Sequence, residues 1–277
     1  MGRADMHTHS TVSDGRLSPS ALVERAASQG VTLMALTDHD NIGGIAEAEA
    51  AGRRCGVEIV PGVEISADYG PGTMHILGLG VDPAEPGLLA RLDFLQGARR
   101  ERNPKIIQKL RAAGLDIHMA EVEALAGQSQ VGRPHFAQAL VMRGMAADFK
   151  EAFDKFLAKG RPAYVPKSRM APREAIEVIH KAGGLAVLAH PVQLRLDPAA
   201  EEAEITGLKG FGLDGIEVRH IDHGPADEAR YQALAKLLEL RLSGGSDYHG
   251  IPGRKGDLGS PGLEIAEARA LLSGAAA

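Results

Sequence analysis

Two periods of apolar spacing take turns along the chain. Short runs dense in aliphatic and β-branched residues mark buried strands, and stretches with apolar residues three and four positions apart mark amphipathic helices. "ADMHTHS" (4–10), "VTLMALTDHD" (31–40), "VEIVPGVEIS" (57–66) and "TMHILGLGV" (73–81) read as strands. "SPSALVERAASQG" reads as a helix with Ser18 as N-cap, Pro19 in the first turn and Gly30 as the stop. Asn41 to Cys55 is an alanine-rich helix. After a long middle section the alternation resumes. Helix "APREAIEVIHKAG" precedes strand "GLAVLAHP", a helix near 199–210 precedes "LDGIEVRH", and helix "PADEARYQALAKLLEL" precedes "RLSGGSDYHG". Repeated strand–helix units imply an α/β fold with a mostly parallel sheet, closed as a barrel or open. The middle, about 88 to 165, offers only helical patterns and reads as an insertion between strands; the tail "LLSGAAA" reads as frayed.

The chemistry-bearing residues collect where these strands end. His7 and His9 close the first; Asp38, His39 and Asp40 the second; Glu64 the third. His75 lies on the fourth, His190 ends "LAVLAH", Glu217 and His220 close "GIEVRH", and Asp247 with His249 close "GGSDYH". In parallel α/β folds the C-terminal strand ends form the face where sites are built, so residues scattered through the sequence converge there. Side chains at i and i+2 of a strand point the same way, which lets His7 and His9, and likewise Asp247 and His249, face one ion. Imidazole with carboxylate and no sulfur suits Zn²⁺, Mn²⁺ or Fe²⁺. His7, His9, Asp14, His39, Glu64, His75, His190, Asp247 and His249 are too many donors for one tetrahedral site. They predict two or three ions bridged by carboxylates, an arrangement that activates water and clamps the oxygens of a displacement at phosphorus.

Composition narrows the partners. At 277 residues, 44% hydrophobic and 24% charged, the chain is an ordinary globular sequence, and its net charge of −5 argues against an extended surface that coats nucleic acid. Trp is absent and aromatics are 4%, so a base-stacking platform is not expected. Cys55 is the sole cysteine, which excludes a disulfide framework and a thiolate metal site and predicts a cytoplasmic protein. No basic-then-apolar leader and no apolar run of membrane-spanning length is found, so no membrane partner is expected. "GLGVDPAEPG" and "GGSDYHG" contain glycines but neither is a P-loop or a dinucleotide fingerprint, and no Gly-x-Ser-x-Gly elbow is found.

Taken together, "DMHTHSTVSDG", "LTDHDNIGG", "GVEIS", "HILGLG", "LAHP" and "GGSDYHG" resemble the PHP (polymerase and histidinol phosphatase) superfamily of metal-dependent phosphoesterases. The resemblance implies a distorted (β/α)7 barrel formed by residues 1–90 and 165–277, with a helical insertion, 91–164, capping the metal face. It implies a trinuclear site: His7, His9, Glu64 and Asp247 around one ion, Asp14, His39 and His249 around a second, and Glu64, His75 and His190 around a third, with Mn²⁺ favoured. "ARRERNPKIIQKLRAAG", "VGRPHFAQALV" and "GRPAYVPK" look like the branch that removes the 3′-phosphate of 3′,5′-nucleoside bisphosphates, which is also similar to enzymes trimming short RNA from its 5′ end. A histidinol-phosphate phosphatase, a non-catalytic PHP binding module and an amidohydrolase-type C–N hydrolase are the remaining alternatives.

Outside the donor set, Arg133 and His135 sit at a predicted helix start, where backbone N–H groups and the dipole favour a phosphate. Asn103 joins them as a substrate contact on resemblance only. Arg99, Arg100, Arg102 and Lys105 read mostly as a solvated basic face. His223, in the loop after "GIEVRH", is the expected general acid and a further substrate contact, and Asp247 the expected catalytic carboxylate. His180 and His118 read as surface or capping residues. A monomer or weak oligomer acting on a small nucleotide, or on short oligonucleotides, is the resulting expectation.

Overall fold

The computed structural model describes residues 2–70, 72–127, 131–166, 168–251 and 256–273; residues 274–277 of the tail expected to fray, and Lys167 of "GRPAYVPK", lie outside them. The chain divides into two compact units, residues 1–92 with 169–277, and residues 93–168.

In the first unit, β1 (Arg3–Asp5), α1 (Pro19–Ser28), β2 (Val31–Leu36), α2 (Ile45–Cys55), β3 (Glu58–Ala67) and β4 (Met74–Leu79) come before the helical segment. After it come α7 (Pro172–Lys181), β5 (Leu185–Leu188), α8 (Pro198–Gly210), β6 (Gly215–Arg219), α9 (Pro225–Leu237), β7 (Arg241–Gly244), β8 (Leu263–Glu264) and α10 (Ile265–Ser273). Local rules account for the helix ends. Ser18 Oγ accepts from the Ala21 N–H at 3.2 Å and Pro19 opens α1, while Pro19, Leu22, Val23 and Ala26 form its buried stripe. Gly56, at φ 72°, ends α2 in a left-handed turn that a side chain would strain.

The sheet runs β7-β6-β5-β4-β3-β2-β1-β8. Beyond β1 the backbone continues against the segment after β7: Met6 N–H donates to Gly244 O at 3.2 Å, Asp247 N–H to His7 O at 2.9 Å and His9 N–H to Tyr248 O at 3.0 Å. These bonds draw the two ends of the sheet together, giving the expected α/β barrel, with β8 as an extra antiparallel strand on β1. The sheet is mostly parallel, with one reversed strand inside the barrel. β4 is antiparallel to both β3 and β5, so the barrel is parallel only over β1–β2–β3 and β5–β6–β7. The physical reason is the short connection after Ala67, which permits a hairpin but no crossover. Ala4, Met6, Leu33, Ala35, Leu77, Leu79, Val187 and Ala189 fill the interior below the site.

The second unit is helical: the body of α3 (Pro86–Ala112), α4 (Met119–Ala126), α5 (Arg133–Met142) and α6 (Phe149–Ala152). Ile106, Leu110, Ile117, Val122, Phe136, Leu140 and Leu157 give it a hydrophobic core of its own. The basic run on α3 is split. Arg100 and Lys105 are exposed, but Arg99 and Arg102 are buried because they lie on the same helical stripe as Asn103, Ile106 and Leu110. No helix among the described residues is long and apolar enough to cross a membrane.

Candidate metal centre

Burial makes the donors unusual before any chemistry is considered. His7, His9 and Glu64 are fully buried polar side chains, and His190, Asp247 and His249 nearly so. Carboxylates and imidazoles are removed from water only when paired or coordinating. Strand geometry gathers them on one rim. His7 and His9 extend β1, and His39 follows β2. Glu64 lies within β3, His190 follows β5, and Asp247 and His249 follow β7. His75 stands near the start of β4, opposite Ser66 of β3; because β4 runs backwards, its beginning reaches the rim where its neighbours end.

Glu64 is the hub. Its Oε2 lies 3.3 Å from His7 Nε2, 3.2 Å from His9 Nε2 and 2.8 Å from His39 Nδ1. Its Oε1 lies 2.7 Å from His75 Nδ1 and 3.0 Å from His190 Nε2. Asp247 Oδ1 is 3.5 Å from His7 Nε2 and 3.2 Å from His9 Nε2. Asp14 holds His249 Nε2 at 3.1 Å and His39 Nε2 at 3.9 Å. Donor atoms within 4.8 Å of one another fall into overlapping groups: His9, Asp14, His39 and His249; His39, Glu64 and His75; His7, Glu64 and His190; and His7, His220 and Asp247.

These donors fit cations. His7 Nε2, His9 Nε2, His39 Nδ1 and Glu64 Oε2 are buried with no hydrogen-bond partner although they crowd one another. An unsatisfied buried polar atom costs about 1–3 kcal/mol, and a shared cation would satisfy all of these atoms together. Nitrogen and oxygen donors without sulfur suit a divalent metal.

The protonation of the metal-free site shows the same crowding. Burial raises the Glu64 pKa, but His39, His75 and His7 outweigh it and hold the carboxyl well below its usual range. Asp14 and Asp247 are likewise well below theirs, despite burial, because His249 and other histidines face them. Burial lowers the His249 pKa, but Asp14 and Asp247 together push it up to about 9. For His75 burial wins over the attraction of Glu64, and its pKa falls to about 4, leaving a neutral ring.

A ring of outer groups orients the donors. Asp5 accepts from Ser246 N and Oγ, Gly259 N and His7 N, fixing the first strand to the segment that carries Asp247. Asp38 accepts from Ser10 N and Oγ and from Ser13 Oγ, and Asp40 from Ser66 N and Oγ. Glu217 accepts from His7 Nδ1 at 3.1 Å and from His190 N at 2.7 Å. His220 Nδ1 accepts from Asp222 N at 3.1 Å, which fixes the tautomer with a proton on Nε2, 3.4 Å from Asp247 Oδ2. In the sequence Asp38 and Glu217 stand at strand ends without a role assigned to them, and His220 is an alternative to His223 as general acid. Asp5 went unremarked, although its position two residues before His7 carried the signal.

One expectation is corrected in detail. Asp247 and His249 share the site, but not through strand alternation: Asp247 adopts φ 50°, a left-handed turn, and His249 Nδ1 folds back to donate to Asp247 O at 2.9 Å. His223, expected as a general acid and not as a ligand, lies outside the crowded donor groups. Its Nδ1–H donates to Val218 O at 2.8 Å, its ring lies 5.2 Å from that of His220, and burial depresses its pKa.

Within the helical unit, Arg133 lies over the Tyr164 ring at 5.8 Å. His135 Nδ1 accepts from Gly132 N at 3.0 Å and so closes the helix cap. Asn103 uses both ends of its amide locally, accepting from Arg102 Nη2 at 2.9 Å and donating to Val131 O at 3.0 Å. It acts there as a tie between α3 and the segment before α5. His118 pairs with Asp116, and His180 donates through Nε2 to Asp214 at 2.8 Å on the exterior.

The profile of the PHP domain matches residues 5–158, more than half of the chain. The chain belongs to the PHP family. Among PHP relatives, a 3′,5′-nucleoside bisphosphate phosphatase of Chromobacterium violaceum is 39% identical over 92% of this chain and 90% of its own. A 5′-3′ exoribonuclease of Haemophilus influenzae is 38% identical over 88% of this chain and 89% of its own. A solved amidohydrolase from Chromobacterium violaceum, holding sulfate and no metal, matches with a TM-score of 0.85 at 36% identity, over 96% of this chain and 95% of that one.

Proposed function

We propose that this PHP protein is a metal-dependent phosphatase that removes the 3′-phosphate of 3′,5′-bisphosphate nucleotides, yielding a nucleoside 5′-monophosphate and phosphate. The observation that carries the reading is the Glu64 hub with its crowded, unpartnered histidine nitrogens, in a chain 39% identical to a protein named for that reaction. His7, His9, Glu64 and Asp247 would hold one divalent ion, Asp14, His39 and His249 a second, and Glu64, His75 and His190 a third, with Mn²⁺ the ion of choice. Bound there, such ions supply a Lewis acid for the phosphoryl oxygens and lower the pKa of water enough to attack near neutral pH.

The chain's own residues do the rest. Glu64 reaches two donor groups through its two oxygens and fixes their spacing. Asp247, held through Oδ2 beside His220, keeps Oδ1 toward His7 and His9. His223 is the proton donor to the departing 3′-oxygen. Its Nδ1–H is committed to Val218, so the transferable proton is the one Nε2 acquires when the strongly anionic bisphosphate substrate binds. Arg133 and His135, at the N-terminus of α5, are the proposed phosphate contacts of the substrate, and Asn103 supports them by fixing Arg102 and the Val131 backbone. In a chain of net charge −5 the anionic substrate depends on this local positive potential.

The test is phosphate release from adenosine 3′,5′-bisphosphate by Mn²⁺-loaded protein, run beside AMP, histidinol phosphate and a short 5′-phosphorylated RNA. Preference for the bisphosphate, abolished in His9→Ala, is the expected result. Faster nucleotide release from the RNA would favour 5′-to-3′ exonuclease action, the second reading, which the Haemophilus influenzae relative supports. Silence on all four by metal-loaded protein would overturn both.

A further inference from the structure

Glu217 is fully buried on β6 and accepts from two of the donor residues themselves, from the ring of His7 and from the backbone of His190. One oxygen lies 3.1 Å from His7 Nδ1; the other lies 2.7 Å from the backbone N of His190 and, more distantly, 3.4 Å from His7 Nδ1. In the proposed metal arrangement these histidines serve different ions. His190 also has a strained backbone, φ 26° and ψ 64°, a conformation that persists only when its surroundings enforce it. Its N–H bond to Glu217 is the enforcing contact that the structure shows.

We propose that Glu217 is a positioning residue that sets two ion positions at once, fixing the tautomer of His7 and the backbone of His190. The inference rests on the metal-site reading above. When His7 binds a cation through Nε2, Nδ1 carries the proton and must donate. The His190 N–H is always a donor. Both neighbours of Glu217 therefore require an acceptor, and only a carboxylate presents one on each arm. A carboxamide of the same shape must turn its NH₂ toward one of the two. If it faces His7, the ring changes tautomer and Nε2 becomes protonated, unable to ligate. If it faces His190, the strained peptide loses its hold. Glu217→Gln is thus nearly isosteric and still wrong at one position, whichever way it turns.

The experiment compares wild type, Glu217→Gln and Glu217→Asp, stripped of metal and then titrated with Mn²⁺. It measures bound ions per chain by elemental analysis at fixed free Mn²⁺ and the metal-induced rise in Tm. Glu217→Gln should keep the metal-free Tm near that of wild type while losing roughly 10–100-fold in affinity at the ions served by His7 and His190. The ion served by Asp14, His39 and His249 should fill as in wild type. Glu217→Asp retains two acceptors and should recover part of the lost affinity; it also carries the test if the glutamine variant does not fold. Wild-type affinity and stoichiometry in Glu217→Gln would overturn the proposal while leaving the metal reading intact, as would equal losses at all ions together with a lowered metal-free Tm. Wild type that binds no Mn²⁺ would overturn the metal reading and this inference with it.

Discussion

At the scale of single residues, proton and cation compete for the same atoms. His249 Nε2 faces Asp14, and in the metal-free protein its pKa is pushed up to about 9 against an ordinary 6.5. A raised histidine pKa stabilises the fold fully below about 6.5, and that contribution is lost as pH rises through about 9. Metal-stripped protein should therefore lose Tm between pH 6.5 and 9.5, and His249→Gln should lose less over that window. Mn²⁺ affinity should move the other way, rising with pH as the proton leaves Nε2. Glu64→Gln removes the charge that both halves of the cluster share, and phosphatase activity should fall by at least about 100-fold with a matching loss of bound ions. For His223→Ala, kcat should drop by roughly 10²–10⁴ with unchanged metal content. The deficit should shrink on a substrate whose leaving group needs no proton, such as a nitrophenyl ester; an equal deficit there would remove His223 from the proton-donor role. The donors were readable in the sequence because histidines and acids break the apolar runs at their ends. Glu217 was not given a role, because a glutamate inside "GIEV" looks like any residue of an alternating strand, and only its two long-range hydrogen bonds distinguish it.

At the scale of elements, direction was the hidden variable. An apolar run announces a strand but carries no sign of which way the strand points, so a mostly parallel sheet could be expected without marking β4 as the strand that runs against its neighbours. That reversal explains why His75 precedes most of its strand while His39 and His190 follow theirs. The contact that closes the barrel makes a similar demand. A Cβ on Gly245 would lie 2.5 Å from both the backbone N and the Cβ of His7, atoms that cannot yield without moving the donor itself. Gly245→Ala should lower stability by about 1–3 kcal/mol and reduce the metal-induced rise in Tm, both read from thermal melts with and without Mn²⁺. Chemical denaturation that showed full stability and full metal response in this variant would contradict the tight approach.

At the scale of the whole molecule, every donor belongs to one unit and the helical core to the other. Phe136, fully buried among Ile106, Leu110 and Leu140, should cost about 3–5 kcal/mol of helical-unit stability when replaced by alanine. The number of ions bound per chain should not change, a separation that calorimetry and elemental analysis can resolve together. The sequence showed a helical middle section through its 3.6-residue period, but apolar spacing says nothing about which polar atoms find partners, so the ties made by Asn103 and His135 emerged only from the structure. The stitching of residues 6–9 to residues 244–248 has a consequence for how the protein is made. A chain still growing from the ribosome can present His39, Glu64 and His75 early, yet it lacks Asp247 and His249 until β7 and the segment after it have been made. The full donor cluster is thus among the last parts of the barrel to assemble, and a chain cut short before β7 is left without it.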